Sequence, residues 1–171
     1  MTTRVMKFGG TSVGDAHRMK RVIDLVADAA RTERVCLVAS AVTGVTNLLV
    51  DAAKRVQEGD DPAPFVDKFR ALHDQITREL EDDIGGDALM QLRGVVDELA
   101  REFERLLQGV SLLREASPLV TARVSSLGER VSCAILAEVA RARGLQPRLL
   151  DAREFVIASG DALEATPDLE K

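Results

Sequence analysis

Val5-Met6-Lys7-Phe8-Gly9-Gly10-Thr11-Ser12-Val13 sets the reading of the whole chain. Its first half is short, apolar and β-prone, as a buried strand is. It then breaks into two glycines and two hydroxyl residues before helical periodicity resumes. A strand that runs through a glycine pair into a helix is suited to hold phosphate. Glycines let backbone N–H groups approach an anion, and a helix N-terminus adds a favourable partial charge. Lys7 puts an ammonium near the C-terminal edge of that strand, the side on which open α/β sheets bind ligands. The plainer alternative is a tight turn beside a solvated strand lysine. No G-x-x-x-x-G-K-[ST] sequence occurs, so the stretch is not a P-loop.

Downstream, Asp15 is a candidate N-cap. Ala16, Met19, Val22, Ile23, Val26 and Ala30 repeat at helical spacing and predict a helix over 15–31. Arg34 to Ser40 reads as a second strand, and its near-continuous apolar character predicts cover on both faces. Strand, helix and strand in succession predict a parallel, right-handed βαβ unit, with the loops after Phe8 and Ala39 on one sheet edge. The second loop, Ser40-Ala41-Val42-Thr43-Gly44-Val45-Thr46-Asn47, leads into a helix that Gly59 is placed to stop. Any one of its hydroxyls reads as helix capping. Two hydroxyl-rich loops at one edge also offer neutral donors and acceptors to a small polar substrate.

Asp61-Pro62 opens a helix with the stripe Phe65, Phe69, Leu72, Ile76 and Leu80. Gly85-Gly86 breaks it, Asp87 is the expected cap of the next helix, and Leu89, Leu92, Val96, Leu99, Phe103, Leu106 and Val110 form its seam. A helical hairpin over about 61–110, inserted between strand units, is the prediction. His17 reads as a surface residue and His73 as structural. Ser117-Pro118 starts another helical stretch that continues through Gly128-Glu129 and stops near Gly144. Glu129 either complements a helix dipole or, if it faces the crevice, binds a substrate ammonium. Gln146 to Asp151 is the expected third strand, Ala152 to Ile157 a short helix, and the remainder is polar and irregular.

With 171 residues, 46% apolar and 30% charged, the chain is expected to form one soluble globular domain rather than a disordered tract. A net charge of −5 leaves no basic footprint for nucleic acid. No apolar run approaches a membrane span, and the N-terminus runs directly into a strand without a signal peptide. Cys36 and Cys133 are expected to be buried thiols in a reducing, cytoplasmic setting. Two histidines and no clustered Cys/His spacing make a protein-held metal an unexpected feature.

The assembled motifs resemble those of aspartate kinases, within the amino-acid kinase superfamily. The match lies in Lys7-Phe8-Gly9-Gly10-Thr11-Ser12-Val13, Ser40-Ala41 with Val45-Thr46-Asn47-Leu48-Leu49, Gly109-Val110-Ser111-Leu112-Leu113, and Gly128-Glu129-Arg130-Val131-Ser132. It implies a three-layer α/β/α fold with a mainly parallel sheet, here incomplete, and an inserted helical hairpin. The implied reaction is ATP- and Mg²⁺-dependent phosphorylation of the β-carboxylate of L-aspartate to 4-phospho-L-aspartate, the first step towards lysine, threonine and methionine. The resemblance gives Lys7 the transferring phosphoryl group and gives Gly9, Gly10 and Ser12 phosphate contacts. Ser40 and Thr46 fall on the substrate side, and Glu129 on the aspartate ammonium. No metal ligand is assigned, and a homo-oligomer is implied for a full-length protein. The resemblance further implies that residues 1–171 correspond to the N-terminal, substrate-side part of the kinase domain, with the ATP lobe and regulatory ACT domains expected to be absent from them. Two alternatives stay beside this reading: a non-catalytic substrate-binding or assembly module, and another amino-acid kinase such as a glutamate-type or uridylate enzyme.

Overall fold

The computed structural model describes residues 2–168. Strand β1 (Thr3–Phe8) and strand β2 (Arg34–Ala39) pair in parallel, from Thr3 opposite Arg34 to Phe8 opposite Ala39. Helix α1 (Ala16–Ala30) joins them. Asp15 caps it as expected, accepting the Arg18 N–H at 2.8 Å, and Met19, Val22, Ile23 and Val26 form its buried stripe. A parallel strand pair with helices against it makes this an α/β chain, an incomplete α/β/α arrangement.

The incompleteness is visible in the strands. Phe8, Leu37 and Ala39 pack against the helical core. On the opposite face Val5 is 66% exposed and Val38 45%, with Lys7 and Cys36 exposed beside them. The expected cover on both faces of β2 is therefore absent among the described residues. Cys36 and Cys133 are both free thiols, as expected, but the expected burial is corrected: Cys36 lies on the bare face, and Cys133 on the last long helix is only half-buried.

Helix α2 (Val45–Glu58) ends at Gly59, in left-handed conformation at φ 120°. Next come α3 (Ala63–Glu79), the single turn α4 (Glu81–Ile84) and the long α5 (Gly86–Leu113). Asp61 accepts the Ala63 N–H at 3.1 Å and so satisfies the start of α3. Helices α3 and α5 run antiparallel, with the Phe69 and Phe103 rings 5.6 Å apart and Arg70 paired to Asp97 at 3.0 Å. The expected cap at Asp87 is corrected: Gly85 occupies the cap position at φ 82°, and Asp87 lies inside the first turn. His73 is fully buried between these helices, its Nδ1 2.8 Å from the Phe69 carbonyl. Burial pushes its pKa below the ordinary imidazole value.

Ser117 caps α6 (Pro118–Ser125), accepting the Val120 N–H, and α7 (Leu127–Ala142) buries Val131, Ile135 and Val139. Fully buried side chains such as Phe69, Phe103, Leu107 and Ile135 each contribute about 1.5–3 kcal/mol. Stability therefore concentrates in the helices rather than in the two-stranded sheet.

The third strand predicted over 146–151 is corrected, since Gln146–Leu150 carries no regular structure. A strand persists only as part of a ladder. Pro147 has no N–H to offer one, and Leu149 and Leu150 remain exposed. The helix expected over 152–157 contracts to a 3-10 turn, Ala152–Glu154. The chain then forms an exposed antiparallel pair of two-residue strands, β3 (Ala158–Ser159) and β4 (Thr166–Pro167). Among the described residues no helix is long and apolar enough to cross a membrane.

Candidate active site

Parallel pairing brings the C-terminal ends of β1 and β2 side by side, and the two loops issue from the same edge. The ladder extends one residue further, the Ser40 N–H donating to the Phe8 carbonyl at 3.1 Å. Gly9 then opens a 3-10 turn (Gly10–Val13), and its carbonyl accepts the Ser12 N–H at 2.9 Å. A Cβ on Gly9 would meet nothing within 4 Å, so this backbone faces open space. A Cβ on Gly10 would lie 3.0 Å from the Ala41 carbonyl oxygen, so Gly10 is what lets the two loops touch.

One hydrogen bond spans that contact and a second braces the glycine turn against α1. Thr43 Oγ1 donates to the Gly10 carbonyl at 2.9 Å, and Arg18 Nη1 donates to the Thr11 carbonyl at 2.9 Å. Ser40 is half-buried in the second loop, and Thr46 is half-buried in the first turn of α2. Ser12 is half-buried in the 3-10 turn, while Lys7 is exposed on the uncovered sheet face, one residue before β1 ends. Lys7, Gly9, Gly10, Ser12, Ser40 and Thr46 thus fall on two adjoining loops, the end of β1 and the first turn of α2.

Glu129 arrives from a distant part of the sequence. It lies in the first turn of α7, and its Oε1 accepts the Ala41 N–H at 3.3 Å. Its Oε2 is buried and has no hydrogen-bond partner among the described residues. A carboxylate oxygen withdrawn from water without a donor is costly. A cationic or N–H group delivered from outside the chain would satisfy it. One turn on, burial raises the pKa of the Cys133 thiol, and the neighbouring Glu129 and Asp151 carboxylates raise it further. Arg130 turns away and donates to Glu102 on α5 at 2.7 Å, tying the hairpin to the helix that carries Glu129. Asp151 is held down to about 2, chiefly by its hydrogen bonds to the Arg153 guanidinium.

Sequence reasoning passed over Thr43, Arg18 and the Ala41 amide. Thr43 sits directly before Gly44 at the start of α2, where a hydroxyl reads as a cap. Its actual partner lies in the other loop and is set by the strand pairing. Arg18 lies on the exposed face of α1, and nothing in its local sequence points to the Thr11 carbonyl.

A model of the amino acid kinase family matches residues 2–169. The chain is 34% identical over 170 residues to lysine-sensitive aspartokinase 3 of Escherichia coli, covering 96% of this chain and 34% of that protein. It is 31% identical over 173 residues to the chloroplastic aspartokinase 1 of Arabidopsis thaliana, covering 96% of this chain and 29% of the relative. The crystal structure of E. coli aspartokinase III in complex with aspartate and ADP superimposes with a TM-score of 0.82 at 30% identity, over 99% of this chain and 35% of that one. The chain thus spans about a third of the length of the relatives it matches. By motif, fold and family model together, this chain belongs to the amino acid kinase family.

Proposed function

We propose that residues 1–171 are the substrate-side part of an aspartate kinase domain, whose reaction is phosphorylation of the L-aspartate β-carboxylate. The observation that carries this reading is the buried, unpartnered Oε2 of Glu129 beside two loops that meet at one sheet edge. A fixed carboxylate of this kind suits the ammonium group of an amino acid. The relatives named above are aspartokinases, and the superimposed structure holds aspartate and ADP.

In this mechanism the substrate carboxylate oxygen attacks the terminal phosphorus of ATP. The new O–P bond forms as the bond to the ADP leaving group breaks, giving the mixed anhydride 4-phospho-L-aspartate. The chain's part is alignment and charge neutralisation, which supply most of the catalysis in phosphoryl transfer. Glu129 holds the substrate ammonium, and the Ser40 and Thr46 hydroxyls orient the substrate's polar groups. The backbone of Gly9 and Gly10, with Ser12, contacts the transferring phosphoryl group, and Lys7 offsets the charge that develops on it.

Among the described residues no group of three or more His, Cys, Asp or Glu side chains could hold a metal ion. Mg²⁺ accompanying the nucleotide would supply charge neutralisation at the phosphates, beside which Lys7 and the Gly9–Gly10 backbone would stand. The reading further places the protein in a homo-oligomer in the cytoplasm, at the entry to lysine, threonine and methionine synthesis.

The uncovered face of Val5 and Val38 favours a second reading, a non-catalytic substrate-binding or assembly module. Coupled measurement of ADP release from the complete protein with L-aspartate, ATP and Mg²⁺ separates the two, with hydroxylamine trapping of the acyl phosphate. Aspartate-dependent ADP and hydroxamate are expected. Aspartate binding without ADP formation selects the module, and turnover with L-glutamate instead reassigns the substrate.

A further inference from the structure

Gly128 precedes Glu129 at the start of α7 and is itself buried. A Cβ built on it would lie 2.7 Å from Ala41 Cβ and 2.9 Å from Val45 Cγ1. Both distances are shorter than carbon atoms tolerate. Gly128 is therefore the point at which α7 touches the β2–α2 loop with no side chain between them. Its backbone φ is not in the left-handed region, so the glycine is required by proximity and not by backbone conformation. The neighbouring residue makes a polar link across the same contact, the Glu129 Oε1 acceptor on the Ala41 N–H. That bond is already 3.3 Å long, near the upper limit for an N–H···O interaction. Any outward movement of the helix start breaks it.

We infer that Gly128 is a positioning residue: by letting α7 close on Ala41 and Val45, it fixes the Glu129 carboxylate at the depth and orientation that recognise a substrate ammonium group. With a side chain at 128, the first turn of α7 or the Ala41 loop moves back by some tenths of an ångström. Glu129 then loses its backbone anchor and its Oε2 turns towards water. The consequence is specific. Recognition of the amino group weakens, while recognition of the carboxylates, which rests on the two loops, is retained. This inference rests on the reading of Glu129 as the ammonium acceptor.

The test compares L-aspartate with succinate, which has the same two carboxylates and no amine, as ligands of the complete protein. Calorimetric affinities are measured for wild type, Glu129→Gln, Gly128→Ala, and Gly128→Ala combined with Ala41→Gly and Val45→Ala, which removes both contacted atoms. The preference of Gly128→Ala for aspartate over succinate is expected to fall about tenfold, as when one charge-assisted contact is weakened, with succinate affinity unchanged. The combined variant is expected to recover most of that preference. Equal loss of both ligands in Gly128→Ala, or an undiminished preference, overturns the positioning role. If Gly128→Ala does not fold, the combined variant decides alone: recovered preference supports the inference and lost preference overturns it. A Glu129→Gln protein that keeps the full preference for aspartate sinks the underlying reading instead, so the two failures are distinguishable.

Discussion

Thr43 Oγ1 donates to the Gly10 carbonyl at 2.9 Å, across the contact where the two loops of the sheet edge meet. This bond joins residues far apart in sequence and holds the glycine turn against the loop that leads into α2. Thr43→Val keeps the shape and removes the donor. A net hydrogen bond is worth about 0.5–1.5 kcal/mol, and Thr43 is exposed, so the loss of stability should lie at the lower end. Kinetics should respond more strongly than the melting temperature, because the misplaced turn carries the proposed phosphate contacts. Thermal melts and steady-state assays with ATP varied check this. Unchanged kinetics would show that the loop pairing is structural only.

Lys7 is exposed at the end of β1, free of the burial that would make its removal a folding problem. Lys7→Ala should reduce turnover far more than aspartate affinity, because its charge matters most where phosphoryl charge develops. Normal kcat in that variant would remove Lys7 from the mechanism.

Glu129→Gln retains shape and the Ala41 contact but loses the charge. Charge-assisted hydrogen bonds contribute about 1.5–3 kcal/mol, so aspartate affinity should fall roughly tenfold to over a hundredfold with little change for ATP. A merely dipole-complementing carboxylate would cost less than ~1 kcal/mol of stability and leave aspartate binding intact. Titration calorimetry beside thermal melts separates these outcomes.

His73 gives a pH dependence whose sign follows from its lowered pKa. Above the ordinary value of about 6.5, imidazole is neutral in both folded and unfolded chains, and it adds no slope. Below it the unfolded chain takes up a proton that the buried ring resists, despite nearby Asp74, so stability falls as the pH falls. His73→Leu should flatten the decline between pH 7 and 5 by up to about 1.4 kcal/mol per pH unit. Denaturant midpoints for both proteins at several pH values measure it, and parallel curves would refute the assignment.

Ser132 Oγ is buried without a partner among the described residues, one turn beyond Glu129 on α7. Removing an unsatisfied hydroxyl is close to neutral or stabilising, so Ser132→Ala should lower stability by no more than ~0.5 kcal/mol. A loss above about 1 kcal/mol would mean that the hydroxyl is satisfied in solution.

The sequence by itself determined the local elements and the family. Short apolar, β-prone runs placed β1 and β2 and helical spacing placed the main helices, because these signals lie within each segment's own residues. Asp15, Gly59 and Ser117 marked helix ends, since capping is settled within a few residues. The motif around Lys7-Phe8-Gly9-Gly10 and that around Gly128-Glu129 pointed to amino-acid kinases before any contact was known. Tertiary structure alone decided the rest. Gln146 to Leu150 has strand composition but forms no ladder, because a ladder needs a neighbour that composition does not supply. Cys36 is apolar in context and exposed in fact, because no layer of the described chain covers that face of the sheet. The Thr43–Gly10 bond, the Gly128 contact with Ala41 and the unpartnered oxygen of Glu129 depend on strand pairing and helix approach between distant segments. Distances of that kind are set by packing among many residues at once, and no local pattern encodes them.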